Sequence, residues 1–88
     1  MTDDIAGWRA RIDDIDDRIA EMLNERATCA IEIGRIKHKQ GLAILNPERE
    51  RSILERITKS SDGPLSDTAL SQIFGCIIEE TRKREAEE

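Results

Sequence analysis

Apolar residues recur at spacings of three and four along the first forty positions. They are Ile5, Trp8, Ile12, Ile15, Ile19 and Met22, and the same register continues at Ala30 and Ile33. This spacing is typical of a helix face that packs on other helices. The segment lacks proline, so we predict one helix from about Thr2 or Asp3 to Lys39. Asp3 and Asp4 suit its N-terminus, where carboxylates meet free backbone N–H groups.

Two shorter helices are predicted after two turn-rich breaks, Gly41–Pro47 and Ser60–Pro64. Asn46 is a favoured N-cap and Pro47 fits a first helical turn, so the second helix should begin there. The third should begin near Ser66. Their inner faces are predicted to carry Ile53, Leu54 and Ile57, then Leu70, Ile73, Phe74, Ile77 and Ile78. Without period-two alternation, the pattern favours an all-α chain whose residues 1–88 form one domain.

The first helix is too long for its own chain to cover. About 36 residues span about 54 Å, whereas a compact chain of this size has a radius of gyration of only ~12 Å. The other helices, of roughly 14 and 18 residues, are much shorter. We therefore expect a homodimer in which the long helices of two copies pack together. The alternative is a kink near Gly34 and a compact monomer.

Composition narrows the classes of partner. Charged residues make up 38% of the chain, and 14 Lys and Arg against 19 Asp and Glu give a net charge of −5. This argues against a nucleic-acid partner. The absence of a long apolar run and of a signal pattern leads us to expect a cytoplasmic protein without a membrane partner. Cys29, Cys76 and His38 lack metal-ligand spacing, which favours half-buried free thiols and no metal site.

Charged and polar residues interrupt the inward-facing register of all three helices. They are Arg26 and Lys37 in the first helix, Glu50 in the second, and Thr81 and Glu85 in the third. Arg9 flanks the same face near Trp8, and Arg49 and Asn46 lie beside Glu50. A buried charge costs several kcal/mol unless it is paired. The pattern is therefore consistent with a pocket for a small dianion, or with a core ion pair between Glu50 and Arg26 or Lys37.

The chain resembles the all-helical, AroQ-class chorismate mutases over nearly its whole length. The resemblance is carried by Trp8-Arg9, Ile12–Asp16, Leu23–Ala27, Ile33–Lys37, Asn46–Glu50, Gly63–Leu65, Ile73-Phe74 and Ile77–Thr81. It implies a dimer of three-helix chains that rearranges chorismate to prephenate in phenylalanine and tyrosine biosynthesis. The family's pericyclic reaction requires no metal and no organic cofactor, so none is expected here.

The resemblance also implies a role for each matching residue. Arg26 would bind a substrate carboxylate in its own subunit, and Arg9 would reach the site from the partner subunit. Lys37 would contact a carboxylate and the ether oxygen. Glu50, helped by the backbone of Asn46, would bind the substrate hydroxyl.

Three further residues complete the implied site. Arg49 would support the ring of charges, and Thr81 would hydrogen-bond a carboxylate. Glu85 stands where many bacterial members carry glutamine, which donates a hydrogen bond to the ether oxygen at any pH. A carboxylic acid donates only when protonated. We therefore expect kcat/KM to rise as the pH falls and Glu85 takes up a proton. Because Glu85 lies near the end of the chain, the sequence also predicts that the segment from Glu85 to Glu88 frays.

Three other hypotheses remain open from the sequence. A relative acting on isochorismate or 4-amino-4-deoxychorismate would use the same cations. A regulatory or docking domain of a larger aromatic-pathway enzyme is a second possibility, because the Asp62–Leu65 turn is similar to that of fused forms. A non-enzymatic helical dimer is the third, although it does not explain the inward-facing charges.

Overall fold

The computed structural model describes residues 4–87 as three α-helices. They are α1 (Ile5–Gln40), α2 (Pro47–Ser60) and α3 (Asp67–Ala86), and these residues contain no β-strand. The prediction of an all-helical chain with one long N-terminal helix is confirmed. The side chain of Asp4 caps α1 by accepting a hydrogen bond from the backbone N–H of Gly7. Thr2 and Asp3, the predicted starting residues, lie outside the described residues.

Local capping chemistry sets the ends of the helices. Asn46 Oδ1 accepts a hydrogen bond from the Arg49 backbone N–H at 3.1 Å, directly before Pro47. The Ser66 hydroxyl accepts one from the Ala69 N–H at 3.1 Å. At the end of α1, Gly41 adopts the left-handed conformation with φ of 70°, which glycine takes without a steric penalty. The predicted starts of α2 and α3 are confirmed.

The chain is elongated because α1 runs unbroken through Gly34. The molecule measures 55 × 24 × 15 Å, with a radius of gyration of 16.3 Å. The kinked, compact alternative is therefore wrong. Gly34 instead allows a close approach of α3, since a Cβ atom there would lie 2.2 Å from the backbone oxygen of Glu85. The missing side chain is what lets the C-terminal end of α3 lie against α1.

The core of the described chain is small and lies where α3 packs between the other helices. α3 packs on both α1 and α2, whereas within residues 4–87 α1 and α2 do not pack on each other. The buried apolar side chains are Ala30, Ile53 and Ile78, each 5–8% exposed. Ile33 and Ile73, predicted to face inward, are about half exposed. Cys29 and Cys76 are free thiols as predicted, but exposed.

The N-terminal half of α1 carries an uncovered apolar stripe. Its members are Ile5, Trp8, Ile12, Ile15, Ile19 and Met22, with exposures between 41 and 68%. The guanidinium of Arg11 lies 6.0 Å from the Trp8 ring centroid, a cation–π distance. Among the described helices, none has the length and apolar character needed to cross a bilayer.

Candidate functional site

A cavity of about 360 Å³ opens between the C-terminal half of α1, the start of α2 and the C-terminal half of α3. It forms because α3 separates α1 from α2. Polar side chains from all three helices line it, among apolar ones such as Ile53 and Ile78. Seven of the eight residues predicted from the sequence line this cavity: Arg26, Lys37, Asn46, Arg49, Glu50, Thr81 and Glu85.

Arg26 is held by a buried hydroxyl. Its Nη1 atom donates to Thr81 Oγ1 at 2.5 Å, and Thr81 is only 7% exposed. The Thr81 hydroxyl in turn donates to the Ile77 carbonyl at 2.8 Å. In this arrangement Thr81 orients the guanidinium of Arg26. Donation from Thr81 to a ligand would require its proton to leave the Ile77 carbonyl.

Lys37 and Glu85 form a largely buried ion pair across α1 and α3. Lys37 Nζ lies 2.6 Å from Glu85 Oε1, with side chains 18% and 13% exposed. Lys37 Nζ also donates to the Ile44 carbonyl at 2.9 Å. These contacts hold Glu85 in a helix that continues to Ala86. The prediction that the segment from Glu85 to Glu88 frays is wrong for Glu85; Glu88 lies outside the described residues.

Glu50 pairs with Arg82, which was not among the residues predicted from the sequence. Arg82 Nη1 donates to Glu50 Oε2 at 2.6 Å and also lines the cavity. This hydrogen bond raises the pKa of Arg82, so its guanidinium stays charged. The predicted alternatives, Glu50 with Arg26 or Lys37, are not the pairs that form. Arg82 lies four residues after buried Ile78, and this spacing would have placed it on the inward face.

The cavity carries an excess of positive charge in an acidic chain. Its described lining includes four cations, Arg26, Lys37, Arg49 and Arg82, and two carboxylates, those of Glu50 and Glu85. Each of these carboxylates is paired with one of the cations, Glu85 with Lys37 and Glu50 with Arg82. In the part of the chain that the structure describes, Arg26 and Arg49 therefore line the cavity without a carboxylate partner. Two free positive charges, against a net charge of −5 for the chain, favour an anionic ligand.

Arg9 is the one predicted site residue that the structure places elsewhere. It is exposed on the N-terminal half of α1, 17 residues before Arg26. At 1.5 Å per residue the two backbone positions are about 25 Å apart. No side chain bridges that distance, so Arg9 does not reach the cavity of its own chain.

Comparison with protein families and characterised relatives gives one consistent result. A family model described as chorismate mutase type II matches residues 8–86. The chorismate mutase of Methanocaldococcus jannaschii is 32% identical over 83 residues, 93% of this chain and 84% of that protein. The bifunctional chorismate mutase/prephenate dehydratase of Aquifex aeolicus is 47% identical over 74 residues, 80% of this chain. The chain spans about a fifth of the length of that relative and of its counterpart in Stutzerimonas stutzeri.

Solved structures agree with the sequence matches. Chorismate mutase form II from Thermus thermophilus superposes with a TM-score of 0.90 at 30% identity, covering 92% of each chain. Chorismate mutase from Helicobacter pylori in complex with prephenate gives a TM-score of 0.84 at 28% identity, covering 92% of this chain and 88% of that one. With the family model spanning all three helices, the chain belongs to the type II chorismate mutase family.

Proposed function

We propose that the chain catalyses the rearrangement of chorismate to prephenate. The observation that carries this proposal is the cavity with two cations, Arg26 and Arg49, left over after its ion pairs form. Chorismate is a small dicarboxylate, and two guanidinium groups that have no carboxylate partner in the described chain suit its two carboxylates. The relatives named chorismate mutase, and the neighbour solved with prephenate, support this choice over other dianions.

The reaction is an isomerisation in which the C–O bond of the enolpyruvyl ether breaks as a new C–C bond forms. Because all electrons move within the substrate, the protein has to hold the reactive conformer and stabilise charge that develops on the ether oxygen. Arg26 would fix a carboxylate. Lys37 would donate to a carboxylate and to the ether oxygen.

Glu85 is the second group near the ether oxygen in this proposal. As a carboxylate it accepts from Lys37, as observed. To donate to the ether oxygen it must carry a proton and turn from Lys37. Protonation would add a donor and free the Lys37 ammonium, and both changes favour the reaction at lower pH.

Glu50 would select the substrate through its ring hydroxyl. Its carboxylate lines the cavity at the start of α2, close to the cap formed by Asn46. An ionised carboxylate only accepts hydrogen bonds, so it suits a hydroxyl donor. The hydroxyl lies elsewhere on the ring in isochorismate, and an amino group replaces it in 4-amino-4-deoxychorismate. These analogues are the second substrates to assay.

We infer further that the active form is a homodimer. The uncovered stripe from Ile5 to Met22 is the kind of contiguous apolar surface that a partner buries, and a second copy has the matching face. Arg9 lies on this half of α1, too far from its own cavity. A partner lying along the helix would bring its Arg9 towards the site, adding a third cation for the substrate.

The bifunctional relatives favour one additional role. In them a domain of this family is joined to prephenate dehydratase. We infer that the present chain works beside another aromatic-pathway enzyme, either as a catalyst or as a docking domain.

Turnover of chorismate by the purified chain tests the proposed function. We expect loss of chorismate and formation of prephenate, followed by ultraviolet absorbance and chromatography, with greater kcat/KM at pH 5 than at pH 8. If the chain turned over isochorismate but not chorismate, isochorismate would replace chorismate as the proposed substrate. An absence of turnover with all three substrates would favour the docking role.

A further inference from the structure

Arg82 joins two helices at the wall of the cavity. Its Nη1 atom, on α3, lies 2.6 Å from Glu50 Oε2, on α2. The two side chains are 32% and 27% exposed, so the pair is partly withdrawn from solvent. The contact links residues 32 positions apart and therefore fixes the Glu50 carboxylate relative to α3.

The contact uses one oxygen of Glu50 and leaves the other available. Within residues 4–87, the structure gives Glu50 Oε1 no hydrogen-bond donor, although Glu50 lines the cavity. A carboxylate with one oxygen bound to a guanidinium is both charged and restricted in rotation. The remaining oxygen is then presented as an acceptor in a defined orientation.

We propose that Arg82 is a positioning residue that orients the Glu50 carboxylate to accept a hydrogen bond from the substrate hydroxyl. This proposal rests on the proposed mutase function. Arg82 acts through Glu50 and does not itself contact the substrate. Its charge is balanced by Glu50, which leaves Arg26 and Arg49 to bind the carboxylates.

A neighbouring ion pair on α3 provides the matched control. Lys83 lies 2.9 Å from Glu80 on the same helix, and both side chains are about 60% exposed. This pair joins adjacent turns of α3, and neither of its residues lines the cavity. Removing the Lys83 charge therefore changes the net charge of α3 as much as removing that of Arg82, without releasing Glu50.

A double-mutant cycle tests the proposal. We would measure kcat and KM for chorismate in Arg82→Met, Glu50→Gln and the double variant, with Lys83→Met as the control. We expect Arg82→Met to lower kcat/KM by about ten- to a hundredfold, since misplacement by about 1 Å can cost ~10²-fold. In the Glu50→Gln background the same change should cost less than about twofold. Lys83→Met should stay within about twofold of the wild type.

Arg82→Lys separates positioning from folding. Lysine keeps the charge but lacks the planar fork, so we expect partial recovery of kcat/KM and unchanged helicity by circular dichroism. It replaces Arg82→Met in the cycle if that variant unfolds. Equal losses in both Glu50 backgrounds, or an equal loss in Lys83→Met, would overturn the role of Arg82 while the mutase function stands. A wild-type chain that forms no prephenate would overturn both.

Discussion

The two halves of α1 share one register but differ in what that register carries and in what covers it. From Ile5 to Met22 it carries apolar side chains that are 41–68% exposed. From Arg26 to Lys37 it carries cations, and α3 packs over this half. The N-terminal part of the register is thus apolar but exposed, whereas the C-terminal part places two charged side chains, Arg26 and Lys37, at the cavity beside buried Ala30.

This contrast shows how one helix face can serve two purposes, lining a cavity at one end and presenting an apolar surface at the other. Cations withdrawn from water require partners, and Lys37 and Arg26 find them on α3 at Glu85 and Thr81. An apolar stripe in water requires a covering surface, which the three described helices do not supply. We therefore infer that the C-terminal half builds the proposed site within one chain, and that a second copy covers the N-terminal half.

Arg26→Ala should give the largest effect on activity, because it removes a cation from the proposed site in the C-terminal half of α1. It leaves the apolar stripe of the N-terminal half unchanged. We expect kcat/KM to fall on the order of 10²- to 10³-fold, as when an enzyme loses a charge-stabilising donor. Helicity and association should stay as in the wild type, measured by circular dichroism and sedimentation. Arg35→Ala is the control, since Arg35 pairs with Glu32 on the exposed surface of α1. Full activity in Arg26→Ala would mean that the site is assigned wrongly.

Ile12→Asp should act on the N-terminal half. A carboxylate placed in a buried interface costs several kcal/mol, so association should weaken by at least about 100-fold. Sedimentation should show half the wild-type mass, and activity should become dependent on protein concentration. Ala10→Asp adds the same charge about half a turn away and should leave the mass unchanged. An unchanged mass in Ile12→Asp would contradict the role given to the stripe.

Gly34→Ala tests the close contact that seats α3 on the C-terminal half. The added Cβ would lie 2.2 Å from the Glu85 backbone oxygen, so α3 must shift. We expect a loss of about 1–3 kcal/mol in the free energy of unfolding by urea. At Gly75 an added Cβ meets nothing within 4 Å. Gly75→Ala should therefore be neutral or stabilising by up to about 1 kcal/mol, and equal destabilisation in both variants would refute the contact.

Glu85→Gln should have the smallest effect, visible in the pH profile. The wild-type kcat/KM should be greater at pH 5 than at pH 8, because a carboxylic acid donates a hydrogen bond only when protonated, and the variant should be flat because glutamine donates at any pH. Steady-state kinetics from pH 8 to pH 5 measure this. Glu80→Gln, from the exposed pair with Lys83, should keep the wild-type slope. A flat wild-type profile would remove this role of Glu85.

Features set by short-range chemistry were predictable from the sequence. The caps at Asn46 and Ser66 depend on hydrogen bonds three residues ahead, and both helices begin where expected. Helical periodicity likewise placed seven of the predicted residues at one cavity. These inferences need only the spacing along one helix.

Pairings between helices were not predictable, because they depend on how far one helix slides along another. The sequence offered Arg26 or Lys37 as partners for Glu50, whereas Arg82 takes that place. Gly34 was interpreted as a possible kink because its contact with α3 is long-range. The exposure of Ile33 was not predictable for a related reason: the helical period identifies a face of the helix but does not show whether another helix covers it.

Mixing two inactive variants tests most directly whether the two halves of α1 contribute to one site from different chains. Arg9→Ala and Arg26→Ala damage different halves, and a mixed dimer would carry one intact site, built from Arg26 of one chain and Arg9 of its partner. After unfolding and refolding together, equal amounts should recover about a quarter of the wild-type activity, because half of randomly paired dimers are mixed and each has one intact site of two. Activity no greater than the average of the two variants alone would contradict a site built from two chains.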